Sequence, residues 1–243
     1  MLSFAWKPAW SAPSAMRGFS DDDFREESII VRENDSIGSG DALQTGEDCL
    51  RFRRVWLENY RMALEFTTSY LKDSIEVLRY YKRLAERAMA QIPDEALFAA
   101  VDSQSNSVAI IVKHLAGNMR SRFTDFLTSD GEKPDRKRDS EFEAPPTTRE
   151  ELMEMWEAGW RRVFDAITPL TDPQLNDKVY IRSEAHSVMQ AINRQLAHYA
   201  YHIGQIVYVT KHFAGANWNS LTIPKGKSED FTSRVASGRA SQR

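Results

Sequence analysis

Cysteine is almost missing from this chain: Cys49 is alone among 243 residues. One cysteine excludes an internal disulfide and any cysteine-built zinc or iron–sulfur site, and it fits a reducing, cytoplasmic setting. Long apolar runs are missing too. No stretch approaches the roughly 18 to 20 continuous apolar residues that a membrane span needs. Basic charge is not in excess, because 32 Lys and Arg face 35 Asp and Glu for a net charge of −3. The electrostatic case for nucleic acid or an anionic membrane is therefore absent. Gly226-Lys227-Ser228 copies the end of a phosphate loop but lacks the upstream glycine and the preceding strand. The first residues form a poor signal peptide, since Lys7, Pro8 and Pro13 interrupt the apolar core. Asp21, Asp22 and Asp23 argue against an organellar transit peptide. No internal repeat is visible.

What is present is helical pattern. Residues 1–61 mix Pro, Gly, Ser and Asp without a period and read as a disordered extension or a start assigned too far upstream, with Met62 opening the patterned segment. Leu71, Ile75, Leu78, Tyr81, Ala85, Met89 and Ile92 recur at spacings of three and four, an amphipathic helix stopped near Pro93. A second helix begins at Ser105 or Ser107, buries Val108, Ile111, Leu115, Met119 and Phe126, and ends at Ser129-Asp130-Gly131. Residues 130–146 read as a charged connector of irregular structure. Thr147 and Thr148, each three residues before a glutamate, announce a third helix with Leu152, Trp156, Gly159, Trp160, Val163 and Ile167 inside and Pro169 at its end. KVYIR lies in a linker with two extended pieces. The fourth helix spans about 186–213, with Lys211 and His212 near its end and Gly215 after it. The expectation is an all-α, up-down four-helix bundle over 62–230, followed by a flexible tail at 231–243.

His198 and His202 stand four apart in LAHYAYHIGQIVYV, so both lie on one helix face. That face reads Val188, Ala191, Gln195, His198, His202, Ile206, Val209, an apolar stripe in which uncommitted polar groups are costly. A lone histidine in such a stripe is usually a core residue bonded to a carbonyl. A stacked pair is better explained by a shared metal ion. His114, beside Ile110, Asn118 and Ser121 on the second helix, is the candidate third ligand. Asn118 and Gln195, one turn from His114 and His198, are placed to hold the rings' other nitrogens, although ordinary helix-face polarity explains them as well. Arg182 and Arg194 are candidates for an anionic substrate near the ion, or else solvated surface. His186 and His212 are too far along the chain and read as surface or capping residues. The protease motif H-E-x-x-H is excluded, because Tyr199, Ala200 and Tyr201 fill the space between the pair. No side chain stands out as a general base.

The histidine in KHLAGNMRSR together with the pair in QLAHYAYHIGQI resembles the DinB-like metalloenzyme superfamily. TTSYLKDSIEVLRYYKRLAERA, LTSDGEKPDR, QAINRQLAHYAYHIGQIVY and WNSLTIPKGKS look most like a bacterial branch of unassigned activity. The resemblance covers about 62–230. It implies a four-helix bundle in which His114, His198 and His202 hold one divalent ion, zinc or nickel ahead of iron or manganese. It also implies a homodimer, and a thiol-dependent transferase or small-molecule hydrolase whose partner is a small molecule or low-molecular-weight thiol. The alternative is a non-catalytic metal-binding or stress-response protein. No nucleic-acid or membrane partner is expected.

Overall fold

Helix α1 (Tyr70–Met89) begins where the Ser69 hydroxyl accepts the Lys72 N–H at 3.2 Å, capping one of the orphan donors of the first turn. This start belongs to a computed structural model that describes residues 67–241; Met62, the expected start, lies outside the described residues. The described residues are mostly helical, with one small two-stranded sheet. Leu71, Ile75, Leu78, Ala85 and Met89 are buried along α1, and Tyr81 is half-buried. Arg149 closes the other end, donating to the Met89 carbonyl at 3.3 Å and the Ile92 carbonyl at 2.8 Å. A five-residue helix α2 (Asp94–Phe98), too short to show a period, follows Pro93.

Helix α3 (Val108–Phe123) is capped by Ser107, whose hydroxyl accepts the Ile110 N–H at 3.3 Å. It ends six residues before the expected Ser129. Thr124 turns extended with its hydroxyl bonded back to the Arg120 carbonyl at 2.7 Å, and Asp125 takes a left-handed φ of 48°. Phe126 therefore leaves the helix and packs, half-buried, on the Phe123 ring. Helix α4 (Arg149–Ile167) is capped by Thr148, and Glu151 reaches back to the Thr147 N–H at 3.1 Å. Its buried residues are the six expected from the period. At Gly159 a Cβ would stand 3.2 Å from the Ala116 Cα, so the missing side chain lets α3 and α4 approach closely.

Strands β1 (Lys178–Ile181) and β2 (Glu184–Ser187) pair antiparallel, Val179 opposite His186. Helix α5 (Val188–Ala214) then starts at a reciprocal cap of Ser187 and Gln190. The expected start at 186 falls in β2 instead. α3 packs mainly on α4 and α1 mainly on α5, while α3 also meets α5. Trp156, Trp160 and Tyr199 are fully buried between these helices. Helix α6 (Ser228–Ala236), with no buried residue, straddles the expected domain end at 230 and enters the segment read as a tail. None of the helices among the described residues is long and apolar enough to cross a membrane.

Candidate metal centre

Each histidine of the expected triad is followed by a core anchor. Leu115, Tyr199 and Ile203 are completely buried beside His114, His198 and His202. Burying those neighbours fixes the rotation of α3 and α5, and the imidazoles then face one another at the helix interface. His114 is buried, while His198 and His202 are half-buried at the rim of a cavity. The Nε2 atoms of His114 and His202 lie 3.3 and 3.1 Å from the Nε2 of His198, and the three ligand atoms fall within 4.8 Å of one another. Two metal–nitrogen bonds of about 2.0–2.1 Å at the tetrahedral angle put their nitrogens about 3.3 Å apart. Two of the three edges match that spacing, and the three histidines together can hold one ion. His186 and His212 stay outside the group, and Cys49 lies outside the described residues.

The far nitrogens are held by other residues. Glu141 Oε2 accepts from His114 Nδ1 at 2.9 Å, and Gln205 Oε1 accepts from His202 Nδ1 at 2.8 Å. These bonds leave a bare Nε2 lone pair on each neutral ring, aimed at His198. One His198 Nε2–H can serve only one of the two. A buried acceptor is then left without a donor, which is unfavourable, and one cation satisfies all three lone pairs. An extra proton on His198 or His202 does not serve near neutral pH. Burial first, then the neighbouring His202 and His114, push His198 down to about 3, and burial pushes His202 down as well.

The carboxylate on His114 comes from the segment expected to be an irregular connector. A 3₁₀ turn (Asp139–Phe142) places Glu141 beneath His114 and stacks Phe142 on its ring at 4.7 Å between centroids. Lys113 fastens that turn, donating to the carbonyls of Ser140 at 2.7 Å, Glu143 at 2.6 Å and Ala144 at 3.2 Å. Arg136 binds Glu141 through Nε at 2.8 Å and Nη2 at 3.0 Å. Burial raises the Glu141 carboxyl, but the bonds from His114 and Arg136 outweigh it and hold the group below its ordinary range. Gly117 makes this possible: a Cβ there would meet the Glu141 carboxylate, 2.7 Å from its Cδ.

Asn118 and Gln195 take other positions than expected. Asn118 Oδ1 accepts from the Tyr199 hydroxyl at 3.2 Å. Gln195 Oε1 is buried without a partner among the described residues. Glu141 takes the role read for Asn118 at His114, and Gln205 holds His202, while the far nitrogen of His198, which Gln195 was read to hold, has no side-chain partner among the described residues. Sequence offered faint signals for both, a glycine inside a helix one turn beyond His114 and a glutamine three residues after His202. Arg182 and Arg194 both line the cavity beside the histidines, as do Arg122, Arg136 and Arg138.

No curated protein and no solved structure matches the chain. A family model described as "Protein of unknown function (DUF1572)" matches residues 65–227, a span that holds all three histidines, Glu141 and Gln205. That match covers more than half of the sequence, and the chain belongs to the DUF1572 family.

Proposed function

We propose that this protein is a divalent-metal-dependent enzyme whose ion is held by His114, His198 and His202. The reading rests on one observation: the Nε2 atoms of His114 and His202 lie 3.3 and 3.1 Å from that of His198, the three ligand atoms fall within 4.8 Å of one another, and Glu141 and Gln205 hold two of the rings from behind. Among the described residues no fourth histidine, cysteine or carboxylate joins the group. Structural zinc usually fills all four positions with protein ligands, whereas catalytic sites keep one open. A divalent ion there would acidify a water or thiol and supply a nucleophile near neutral pH. The chain's own residues orient the site. Glu141 fixes the His114 tautomer, Gln205 that of His202, and Phe142 covers one side of His114.

The histidine pattern also supports the finer reading of an up-down four-helix bundle of the DinB-like type, working as a thiol-dependent transferase or small-molecule hydrolase, as a homodimer in the cytoplasm. Zinc or nickel suits three imidazoles best, with iron or manganese next. The test is a turnover screen of metal-loaded protein against small esters, amides and thiol acceptors, beside His202→Ala. Turnover that needs the ion and disappears in the variant supports the enzyme. An ion held at full occupancy with no turnover in either screen favours the non-catalytic metal-binding alternative.

A further inference from the structure

The cavity at the histidines has a volume of about 410 Å³, and its wall carries five arginines, Arg122, Arg136, Arg138, Arg182 and Arg194, with no aspartate or glutamate. The chain as a whole has a net charge of −3, so this concentration of guanidinium groups is not a consequence of composition. Two carboxylates stand behind the wall. Glu132 takes Arg122 at 3.0 Å, Arg182 at 3.1 Å and Arg136 at 3.4 Å, and Glu141 takes Arg136 and His114. Even with Asp139 beside Arg138, three carboxylates cannot neutralise five cations, and any ion on the histidines adds to the positive side. Arg122 shows the crowding: burial pushes it down from its usual range, and Arg136 and Arg182 add to that shift against the pull of Glu132.

Arg194 and Arg138 lack a strong partner, and Arg182 shares Glu132 with two other arginines, so these three are the ones able to bind. Arg194 is exposed and has no ion pair or hydrogen-bond partner among the described residues. It sits on α5 one turn before His198, hence on the same face as the ligand pair. Arg138 lies over the Phe142 ring at 5.1 Å and pairs with Asp139 at 3.6 Å; that carboxylate is 96% exposed, which makes a weak pair. Arg182 is delivered by a strained turn. Arg182 and Ser183, neither of them glycine, hold φ of 55° and 65° at the β1–β2 tip. Asp130 secures the tip by accepting the N–H of Arg182 at 2.8 Å and of Ser183 at 2.6 Å. Left-handed conformations at such residues persist only where surroundings enforce them, and they gather at functional sites.

We infer that the cavity takes a small anionic substrate, one carrying a carboxylate or phosphate group, with Arg194 as its principal anchor and Arg182 and Arg138 flanking it. Planar guanidinium forks match both groups in bidentate fashion, and a cleft lined by one sign of charge concentrates ligands of the other. The inference deepens the metal-enzyme reading and rests on it for where the bound molecule reacts. The anion would be seated next to the ion, within about one helical turn along α5.

The test is calorimetric titration of the full-length, zinc-loaded protein with succinate, methyl phosphate and uncharged succinamide, with metal content measured on the same samples. The expected result is saturable binding of one or both anions that weakens with added salt, and none of succinamide. The tighter anion identifies the group as carboxylate or phosphate. Arg194→Gln, on an exposed helix face where glutamine is well tolerated, weakens that binding by about tenfold or more and leaves the metal content unchanged. No binding of either anion, equal binding of succinamide, or an unchanged affinity in Arg194→Gln would overturn the inference. Protein that takes no zinc but binds anions through Arg194 would sink the metal reading alone. Protein that holds zinc and ignores the Arg194 change would sink the anion site alone.

Discussion

The two sides of the histidine cluster are built by different forces. On one side, α3 and α5 present the rings from continuous helix ladders, and each ring is anchored by a fully buried neighbour, Leu115, Tyr199 or Ile203. On the other, residues 130–146 have almost no regular structure and are held by charge. Lys113 takes three carbonyls, Arg136 takes Glu141, and Glu132 gathers three arginines. Apolar burial has no titrating group and no charge for salt to screen, whereas a charge network depends on the ionisation of its members. The helical side sets where the ligands are. The charged side sets which nitrogen each ligand offers and what sign of substrate can approach.

The sharpest way to break this contrast is to damage the helical side. Trp156→Ala empties a fully buried site on α4 and is expected to lower unfolding free energy by about 3–5 kcal/mol. Denaturant titration at several salt concentrations should give the same loss throughout. A loss that shrinks with salt would mean that charge also carries the helical core. The charged side should respond differently. Glu141→Gln keeps an acceptor for His114 but removes the charge, and zinc affinity measured by chelator competition is expected to fall about 10–100-fold; stability falls as well, because Arg136 is left buried without its closest charge partner. An unchanged affinity would make Glu141 a packing residue only.

Gly117→Ala sharpens the comparison further. In a helix interior alanine ordinarily gains up to about 1 kcal/mol over glycine. Here the new Cβ would stand 2.7 Å from the Glu141 Cδ and displace the carboxylate. Zinc affinity should fall toward that of Glu141→Gln, and the melting temperature should fall with it because Arg136 loses its buried partner. An unchanged zinc affinity would show that Gly117 does not serve the site.

The smallest effect concerns pH. Burial raises the Glu132 carboxyl, but Arg122, Arg136 and Arg182 outweigh it and hold the group below its ordinary value of 4.5. A carboxyl lowered by folding contributes stability that is complete above that value and is lost as pH falls through the folded-state value. Proteolytic protection of 130–146 should therefore weaken in acid, and Glu132→Gln should flatten that dependence. Protection that is equally acid-sensitive in the variant would assign the effect to another group.

Much of the helical side was legible in sequence because helices leave a period. The buried residues of α4 match the expected face position by position, His198 and His202 share a face as their spacing required, and His114, the candidate third ligand, meets them. The charged side was illegible for a physical reason. Charges in DGEKPDRKRDSEFE carry no period, and burial of one depends on partners distant in the chain. Glu141 is buried while Glu143, two residues on, is exposed. The difference is made by His114 and Arg136. Helix ends were similarly hidden: α3 stops at Phe123 because Thr124 back-bonds to Arg120 and Asp125 turns left-handed, a local competition that a periodic reading passes over.

The central claim is a single ion shared by residues from two helices, and metal content measures it directly. Protein purified without a polyhistidine tag and dialysed against micromolar zinc or nickel would be analysed by plasma mass spectrometry, beside His114→Ala, His198→Ala and His202→Ala. The account predicts about one ion per chain and its loss in all three folded variants. No ion in the parent protein, or full retention after removing His114, would contradict it.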